Sequence, residues 1–431
     1  MPDKFDAIVV GAGAAGLAAA YKMAGEGLSV VVIERGDYPG AKNVMGGVLY
    51  RSAMEELIPE FWKEAPLQRP VVEQRFWLMD SQSAVTTSYK AQEWAREPYN
   101  CFTVFRGQFD QWFARKCAEA GAIIINETLV ESCIVENGRV VGVRTNRPEG
   151  DLYANVVVLA DGVNSMLSKQ LGFHKEWEPR QVALAVMEEL KLPSEVIEER
   201  FNLDPGMGAT IEIYGDSTLG MVGTAFIYTN KEHISIGVGA LLSQIRQRKV
   251  RPYELLEYLK SHPMVRPLIK NGKPVEYYAH LIPEGGYNAV PQLVGNGVVV
   301  VGDAAQLVNG IHREGSNLAV TSGRLAAEAI IRAHKMGAFT ARELSTYEEN
   351  LRNSFVMKDL KKYKNASHLL ETNPQYLNEY IPFTNMALHE MLTVDGISKW
   401  QKQKTIKERV LQQRSLFSLG KDLYKAWKAV K

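Results

Sequence analysis

The feature that most constrains this chain is a glycine fingerprint, Gly11-Ala12-Gly13-Ala14-Ala15-Gly16, placed between a buried strand and a helix. We predict the strand over residues 5–10 and the helix over about residues 17–25. Three glycines at this spacing permit a tight turn, close approach of the backbone to a pyrophosphate and tight packing of the helix on the strand. The free N–H groups and positive end of the helix then face the phosphates. The pattern predicts an α/β fold with a Rossmann-type domain that binds an adenine dinucleotide.

The acid that follows the second strand supports this prediction. Residues 29–33 are expected to form a strand that ends at Glu34, about twenty residues after the fingerprint, as in other dinucleotide-binding folds. A carboxylate there can accept both ribose hydroxyls, and it disfavours a 2′-phosphate.

A second nucleotide motif lies almost a full domain away. Residues 297–301 form an apolar strand that runs into Gly302-Asp303, and a long helix is expected from about Ser316 to Met336. Because FAD is longer than its AMP half, a protein must supply separate groups for the ribityl chain and the flavin. Asp303 suits the ribityl hydroxyls, and the helix start at Gly315 can aim N–H groups at the flavin pyrimidine. The separation therefore indicates FAD rather than NAD.

The segments between these motifs change their periodicity. We predict a helix over 109–120, a hairpin of 129–135 with 140–145 closed by Asn137-Gly138, and a strand over 152–160 that ends at Asp161-Gly162. From about 182 to 282 the period is mostly two, which predicts an antiparallel sheet with one wet face. Beyond Thr340 the pattern is helical. The predicted parts are an FAD-binding domain in three pieces, an inserted substrate (quinone) domain in two and a helical C-terminal region. Their limits are 1–75, 106–180 and 291–345 for the first, 76–105 and 181–290 for the second, and 346–431 for the third.

Composition excludes several classes of protein. At 431 residues with 46% apolar and 23% charged residues, the chain is typical of a globular protein with about two or three compact units. A net charge of +1 gives no general attraction for nucleic acid. The first strand follows Met1 closely and no apolar run approaches the length of a membrane span, so we expect a cytoplasmic protein that can still touch a membrane.

Cys101, Cys117 and Cys133 have no metal or iron–sulfur spacing, and we expect buried free thiols and no metal site.

The last helix is amphipathic and basic. Leu416, Leu419, Leu423, Trp427 and Val430 share one stripe, with Lys421, Lys425 and Lys428 opposite. From Lys399 onward, ten Lys or Arg accompany only Glu408 and Asp422. Two interpretations remain open. The apolar stripe packs on its own protein and the basic face is solvated, or the helix docks on anionic lipid or an acidic partner protein.

Several motifs together resemble a known family. GAGAAG with Glu34, VVVLADG at 156–162, Arg106 followed by Phe109-Asp110, and VVVVGDAA at 298–305 resemble hydroxylase-type flavoproteins with a glutathione-reductase-like FAD domain. Within that group, GAKNVMGG at 40–47 and IPEGGY at 282–287 resemble electron-transfer-flavoprotein:quinone oxidoreductases of the FixC type. The resemblance covers about residues 1–400.

The resemblance implies roles for individual residues. Gly11, Gly13, Gly16 and Glu34 would hold the AMP half of FAD, Arg106 the pyrophosphate region, and Asn43 with Gly46-Gly47 would lie near the flavin ring. Gly285 and Gly286 would offer backbone contacts to a quinone head, and Asp161-Gly162 would form a turn near FAD. The complete set of expected cofactor-binding residues is Gly11, Gly13, Ala14, Ala15, Gly16, Glu34, Arg35, Asn43, Gly46, Gly47, Arg106, Val130, Asp161, Gly162, Gly302, Asp303 and Gly315.

Three further side chains are candidates for chemistry. His312 and Arg313 precede the helix at Gly315 and could supply a proton or positive charge beside the flavin, or they could only line a loop. Tyr287 could donate to a quinone carbonyl or satisfy a structural hydrogen bond. Lys42 could bind a phosphate or be solvated.

The same resemblance implies partners. The family takes electrons from an electron-transfer flavoprotein, reduces quinone at the membrane, and in its full-length members carries a four-cysteine iron–sulfur domain that this sequence does not show. FixC-type subunits instead work beside a small ferredoxin-like iron–sulfur subunit and the alpha and beta subunits of the electron-transfer flavoprotein. We therefore expect a peripheral protein on the inner face of the cell membrane.

The leading functional hypothesis is FAD-dependent electron transfer from an electron-transfer flavoprotein to membrane quinone. The protein would act as the quinone-reducing subunit of an electron-transferring complex, and whether that complex also bifurcates electrons is an open question. The sequence contains no second nucleotide fingerprint, which argues against direct oxidation of NADH. Three alternatives stay open. A geranylgeranyl or other prenyl reductase shares the flavin fold, although its Y-x-W-x-F-P motif is absent near residues 219–240. The second is an aromatic hydroxylase, which a hydroxylated product would reveal. The third is a non-catalytic scaffold subunit that docks on the membrane.

Overall fold

The structure is a computed structural model that describes residues 4–42 and 46–431. The strands of the described chain are β1 (Phe5–Val10), β2 (Val30–Ile33), β3 (Gly46–Tyr50), β4 (Leu67–Met79), β5 (Ala84–Lys90), β6 (Cys101–Phe105), β7 (Ile123–Ile125), β8 (Val130–Glu136), β9 (Arg139–Thr145), β10 (Asp151–Leu159), β11 (Val182–Lys191), β12 (Gly208–Gly215), β13 (Gly223–Thr229), β14 (His233–Leu241), β15 (Lys273–Pro283), β16 (Val294–Gly295) and β17 (Val298–Val300).

The α-helices of the described chain are α1 (Ala14–Gly25), α2 (Arg51–Glu55), α3 (Arg106–Glu119), α4 (Met166–Gln170), α5 (Ser194–Phe201), α6 (Leu242–Arg248), α7 (Pro252–Ser261), α8 (Arg266–Ile269), α9 (Ser316–Met336), α10 (Ala341–Leu344), α11 (Thr346–Asn353), α12 (Phe355–Lys362), α13 (Ala366–Thr372), α14 (Gln375–Asn378), α15 (Tyr380–Leu392), α16 (Lys399–Gln413) and α17 (Leu416–Val430). The helical pattern predicted beyond Thr340 is confirmed. Across the described residues, no helix combines the length and apolarity needed to cross a bilayer.

The chain divides into two compact units, each made of three segments. Unit 1 comprises Met1–Gln68, Tyr99–Val182 and Leu281–Lys361. Unit 2 comprises Arg69–Pro98, Ala183–His280 and Lys362–Lys431. The six finer domain limits given above stay a prediction.

Unit 1 is built on a mostly parallel sheet with strand order β16-β17-β10-β1-β2-β7. Among the described strands, β16 pairs antiparallel with β17 and β9 pairs antiparallel with β10. The central strands β1, β2, β10 and β17 contain runs of Val and Ile that are buried on both faces, as expected of a parallel sheet covered by helices. Helices α1 and α9 pack closely, because Gly323 leaves room where a Cβ would lie 2.1 Å from the Ala15 carbonyl oxygen. The predicted Rossmann-type α/β core is confirmed.

The predicted hairpin is also confirmed. Strands β8 and β9 pair antiparallel, and Asn137 and Gly138 have φ values of 50° and 75°. Positive φ at both central residues is typical of a type I′ turn, whose twist matches that of the flanking strands.

The sheet of unit 2 departs from its prediction in two ways. Its order is β15-β11-β14-β13-β12-β4 with β5 beside β4, and the β12–β4 pair is parallel rather than antiparallel. The prediction of a solvent-exposed face is wrong for β13 and β14, because residues on both faces of these strands are buried: Phe226 and Ile227 on β13, and Ser235 and Ile236 on β14. The Phe226 ring lies over Gly237, where a Cβ would come within 2.3 Å of it, so small residues on one strand accommodate aromatic rings on the next.

The cysteines are free thiols, as predicted. Cys101 and Cys117 are buried, but Cys133 is only partly buried because it lies on β8, a strand of the hairpin.

Candidate functional site

The fingerprint glycines have distinct structural roles. Gly11 has a φ of 101°, and a Cβ on it would lie 2.3 Å from the carbonyl oxygen of Ala160. A Cβ on Gly16 would lie 2.0 Å from the carbonyl oxygen of Gly11. Around Gly13, by contrast, no described atom beyond Gly13 and its two chain neighbours lies within 4 Å of the position of a Cβ. The first and third glycines therefore allow the strand, turn and helix to pack, and the second leaves one side of the turn open.

Helix α1 begins at Ala14, three residues earlier than predicted. Its N-cap is Gly13, and no side chain of the described residues caps the first turn. The N–H groups of the first turn, including those of Ala14 and Ala15, have no partner within the helix. The open side of Gly13 and this helix end form a cradle that suits an anionic group.

The Glu34 carboxylate is fixed at the end of β2 beside this turn. Its Oε2 accepts from the Ala12 N–H at 3.0 Å and its Oε1 from the Gly36 N–H at 2.7 Å. Only 8% of Glu34 is exposed, whereas the neighbouring Arg35 is exposed. Two backbone donors thus orient the carboxylate that was predicted to meet a ribose.

Arg106 forms a buried ion pair that the sequence reasoning did not assign. Its Nε and Nη2 donate to Asp110 Oδ1 and Oδ2, each at 2.9 Å, and Asp110 is fully buried. Burial alone would lower the pKa of Arg106, but the Asp110 carboxylate outweighs it and the pKa is raised. The spacing of an acid four residues after an arginine on a helix was the available signal. The guanidinium is therefore held charged and oriented.

Gly302 and Asp303 lie against the fingerprint helix, as their predicted partnership requires. Gly302 has a φ of 63°, its N–H donates to Ser322 Oγ at 3.0 Å, and a Cβ on it would lie 2.7 Å from the Cβ of Ala15. Burial raises the pKa of Asp303, and the positive charge of Arg106 acts in the opposite direction. The structure thus brings Gly11–Gly16, Arg106 and Gly302-Asp303 to one region of unit 1.

The start of α9 adds the third wall of this region. Its N-cap is Gly315, without a side-chain cap among the described residues, and Ser316 Oγ donates to the Val48 carbonyl on β3 at 3.3 Å. The predicted Gly46 and Gly47 lie on β3, paired with Phe105 and Val104 of β6. Asn43 lies outside the described residues.

Asp161 and Gly162 form the predicted turn at the end of β10. Gly162 has a φ of 76°, and Asp161 Oδ2 accepts from the Leu167 N–H at 3.2 Å. Asp161 Oδ1 is buried and makes no hydrogen bond among the described residues. Burial raises the pKa of this carboxyl. Val130, also predicted, is buried at the start of β8.

The residues expected at the reactive end lie in the segment 284–317 of unit 1. Gly286 has a φ of 56°, and Tyr287 is partly buried against the core of unit 1. His312 is exposed and Arg313 partly buried on the turn between Asn309 and Glu314, which pair through their backbones. Lys42 is exposed.

Two residues of this segment were missed by the sequence reasoning. Gln306 is fully buried with a φ of 59°, and its Oε1 accepts from the Gly285 N–H at 3.2 Å. Glu284 precedes that glycine, and its carboxyl lies against Gly310. A polar residue inside the otherwise apolar stretch 304–308 was the only signal for Gln306.

The C-terminal helices of unit 2 show an unexpected orientation. Helix α17 buries Asp422 and Ala429 and exposes its large apolar side chains. The interpretation in which the apolar stripe packs on its own protein is therefore wrong, and of that stripe only Leu419 is partly buried among the described residues. We name the exposed set the C-terminal apolar face: it consists of Leu416, Phe417, Leu423, Tyr424, Trp427 and Val430 of α17, exposed by 71, 83, 73, 59, 53 and 45%.

Polar contacts explain this orientation. Asp422 accepts from Tyr380 OH at 2.7 Å, from Gln375 Nε2 at 3.1 Å and from Arg414. Burial alone would raise the pKa of Asp422, but the hydrogen bonds from Tyr380 and Arg414 outweigh it and the pKa is lowered. Lys425, predicted on a solvated face, donates to Asn373 Oδ1 at 2.6 Å.

Apolar exposure continues next to α17. Leu392, Val394, Ile397 and Trp400, in and beside the connection between α15 and α16, are exposed by 75, 91, 52 and 71%. An apolar groove of about 430 Å³ lies among α15, α16 and α17, with Phe383, Leu388, Val410 and Leu419 in its lining. Lys421 and Lys428 are exposed on α17. The C-terminal segment of unit 2 is therefore an apolar surface with basic side chains beside it.

Comparison with known proteins places this geometry in a family. Residues 366–431 match the family model described as the ETF-QO/FixC family C-terminal domain, and residues 6–162 match the model of an FAD dependent oxidoreductase. A protein from Azotobacter vinelandii named Protein FixC is 48% identical, and the alignment covers 100% of both chains. A protein from Escherichia coli (strain K12) named probable electron transfer flavoprotein-quinone oxidoreductase YdiS is 40% identical over 91% of this chain and 92% of the relative.

Solved structures agree on the fold. A geranylgeranyl bacteriochlorophyll reductase-like protein from Thermoplasma acidophilum superposes with a TM-score of 0.73, covering 94% of this chain and 96% of the other, at 20% identity. At that identity the likeness shows the fold alone, which confirms the predicted glutathione-reductase-like α/β class. The FAD cofactor and the oxidoreductase class follow from the family relationship. With full-length relatives at this level of identity, the chain belongs to the FixC family of FAD-dependent oxidoreductases.

Proposed function

We propose that this oxidoreductase carries electrons at its FAD from an electron-transfer flavoprotein to a quinone at the membrane surface. The observation that carries the proposal is the C-terminal apolar face, which lies in the segment that matches the ETF-QO/FixC C-terminal domain. The Escherichia coli relative, named as a probable electron transfer flavoprotein-quinone oxidoreductase, supports the choice of donor and acceptor. A quinone reductase must reach a substrate dissolved in lipid, and an exposed apolar surface meets that requirement.

The residues of unit 1 fit FAD. In the proposed site, the open side of Gly13 and the N–H groups of Ala14 and Ala15 receive the pyrophosphate, with Gly11 and Gly16 shaping the turn. Glu34, held by two backbone donors, receives the ribose, and Arg35 and Val130 border the adenine half.

The other half of FAD extends toward α9. In this proposal Arg106, kept charged by Asp110, faces the pyrophosphate region, and the buried Asp303 takes the ribityl hydroxyls. The uncapped start of α9 at Gly315 faces the flavin pyrimidine, with Gly46 and Gly47 nearby on β3. Oδ1 of Asp161, which has no hydrogen-bond partner in the described part of the chain, offers a buried acceptor beside Gly162. Bound FAD supplies reversible two-electron redox chemistry.

The quinone head is proposed to meet the backbone of Gly285 and Gly286, and Tyr287, His312 and Arg313 are the nearby candidates for proton or charge donation. Gly286 has a positive φ, which favours glycine, and because glycine has no Cβ a flat ring can approach the main chain there. The partners that the family relationship favours are the alpha and beta subunits of an electron-transfer flavoprotein and a small ferredoxin-like iron–sulfur subunit.

The membrane contact is proposed on the inner face of the cell membrane through the C-terminal apolar face. Large apolar side chains with lysines beside them are typical of helices that lie in the interface of an anionic bilayer. Lys421 and Lys428 have the sign of charge that this surface attracts.

The test uses the purified protein with FAD bound and follows the flavin absorbance. Reduced electron-transfer flavoprotein should bleach the flavin, and a water-soluble quinone should restore its absorbance. NADH alone should leave it oxidised. Rapid bleaching by NADH alone, or a reduced flavin that no quinone reoxidises, would contradict the proposal.

A further inference from the structure

Glu284 has an unusual environment within unit 1. It is partly exposed as a residue, but its carboxyl lies against Gly310, where a Cβ would come within 2.4 Å of Oε2 and 3.1 Å of Oε1. Only a glycine at 310 leaves room for the carboxyl in this position. The Glu284 N–H donates to the Gln181 carbonyl at 2.8 Å, so the backbone that carries the carboxyl is fixed.

The surroundings of this carboxyl combine burial with unused polar groups. Gly285, the residue after Glu284, donates its N–H to Oε1 of Gln306. The Nε2 of Gln306 is buried and makes no hydrogen bond among the described residues. Asn309 Nδ2, one residue before Gly310, is also buried and has no hydrogen-bond partner among the described residues. Buried donors without partners are rare in folded proteins, so an ordered water or a bound ligand is expected to supply an acceptor at this place.

Among the described residues, no ion pair is formed by the Glu284 carboxyl. The charged or titratable groups on the adjoining segments are Glu178 and Arg180 beside Gln181, Tyr287 after Gly286, and His312, Arg313 and Glu314 beyond Gly310. Glu178 and Arg180 pair with each other at 2.7 Å. Glu314 shares a hydrogen bond with Asn317, and burial raises its pKa. Burial raises the pKa of Glu284 to about 7. At neutral pH this carboxyl therefore exists as an acid and a base in similar amounts, which is the condition for efficient proton transfer.

We propose that Glu284 is the side chain that hands a proton to the quinone oxygen, with Gly310 and Gln306 as positioning residues. The inference rests on the proposed function, because Glu284 immediately precedes the Gly285-Gly286 pair assigned to the quinone head. Reduction of one quinone to a quinol consumes two electrons and two protons. The electrons come from the electron-transfer flavoprotein through FAD, and both protons come from water, one of them by way of Glu284. The O–H bond of the carboxyl breaks as an O–H bond of the quinol forms, and the carboxylate regains its proton from water.

The experiment compares the wild type with Glu284→Gln, which keeps the shape and removes the exchangeable acid. Both are reduced and then reoxidised either by a water-soluble quinone or by ferricenium, which accepts one electron and no proton. We expect Glu284→Gln to slow quinone reduction by about 10²-fold and to leave ferricenium reduction unchanged. In the wild type, quinone reduction should fall as pH rises through about 7, and the variant should lose this dependence. Glu284→Asp should recover part of the rate, and Glu136→Gln, an exposed acid on the hairpin, should match the wild type.

An infrared measurement separates the possible failures. The wild type should show a protonated-carboxyl band that titrates near pH 7 and that Glu284→Gln lacks. A band that is the same in both proteins, or equal slowing with quinone and ferricenium, would overturn the role of Glu284. A wild type that does not reduce quinone at all would instead overturn the proposed function, and the band would still report whether Glu284 holds a proton.

Discussion

Individual residues were predictable where their role depends on nearby sequence. Gly11 and Gly16 form the predicted tight turn and Glu34 follows the predicted strand, because a strand, a turn and a helix fix their positions within a few residues, whereas their roles toward FAD stay a prediction. Gln306 and Asp422 were not assigned. Their partners, Gly285 and Tyr380, are brought to them by the tertiary fold, and no local pattern encodes such a pairing.

Glu189 makes stability depend on pH. It is 3% exposed, its Oε1 accepts from Ser235 Oγ at 2.6 Å, and its Oε2 is buried without a partner among the described residues. Burial, with a contribution from Glu276, raises the pKa of Glu189 from 4.5 to about 8. Below pH 4.5 both the folded and the unfolded chain hold the proton, so this contribution to stability is complete. Between 4.5 and about 8 the unfolded chain releases the proton first, and the contribution is lost as pH rises.

Glu189→Gln should remove this dependence because an amide does not ionise. The free energy of unfolding of the variant, relative to that of the wild type, should increase by up to about 1.4 kcal/mol for each pH unit between pH 5 and 8. Urea unfolding at pH 5, 6.5 and 8 measures the difference. Glu93→Gln, at an exposed acid of unit 2, should run parallel to the wild type. A constant difference between Glu189→Gln and the wild type at all three pH values would show that Glu189 is ionised in the folded protein.

At the scale of elements, periodicity located helices and strands well but did not orient them. Helix α9 was predicted with its observed ends, and α17 was predicted as an amphipathic helix. For the stripe of α17, packing on its own protein and docking on lipid or a partner had both stayed open, because an amphipathic pattern alone does not show what covers the apolar side. The hydrogen bonds of Asp422 turn the opposite face of α17 inward, because a buried carboxylate is stabilised only where it meets hydrogen-bond donors.

Asp422→Ala tests whether this network holds α17 in place. The change leaves Arg414 and Tyr380 without their shared acceptor, and we expect a loss of about 1–3 kcal/mol in the stability of the C-terminal helices. Hydrogen exchange should accelerate across residues 416–430, and trypsin should cut sooner at Lys421, Lys425 and Lys428. Glu408→Ala removes an exposed acid that lies 3.9 Å from Lys404, and it should change neither measurement. Unchanged protection in Asp422→Ala would mean that other contacts hold the helix.

For the whole molecule, the sequence predicted that a nucleotide-binding sheet is completed by a distant segment, and β17 does pair with β10. That inference was possible because the apolar strand before Gly302-Asp303 ends in a glycine-containing turn, as the strand before the fingerprint does. The parallel β12–β4 pair was not predictable, because strand partners far apart in sequence are selected by tertiary packing rather than by local pattern.

The proposed membrane contact predicts how the complete chain partitions. Vesicles that contain phosphatidylglycerol should bind the wild type, and vesicles of phosphatidylcholine alone should bind it more weakly because lysines of the C-terminal region attract anionic lipid. The double variant Phe417→Asp with Trp427→Asp removes two of the three exposed rings of the C-terminal apolar face. Since burial of a large apolar side chain contributes about 1.5–3 kcal/mol, vesicle affinity should fall by at least about tenfold. Co-sedimentation with vesicles measures this change.

The control is Val275→Asp, which places one aspartate at a residue of β15 that is 53% exposed, outside the C-terminal apolar face. It should bind vesicles as the wild type does. If the double variant keeps its vesicle affinity but no longer binds the electron-transfer flavoprotein, the face docks a protein and the lipid contact is wrong. Raised salt should weaken binding to anionic vesicles without abolishing it, because salt screens the lysines while the apolar contribution of the rings persists. Complete release by salt would show that charge alone holds the chain at the surface, and that Phe417 and Trp427 stay in water.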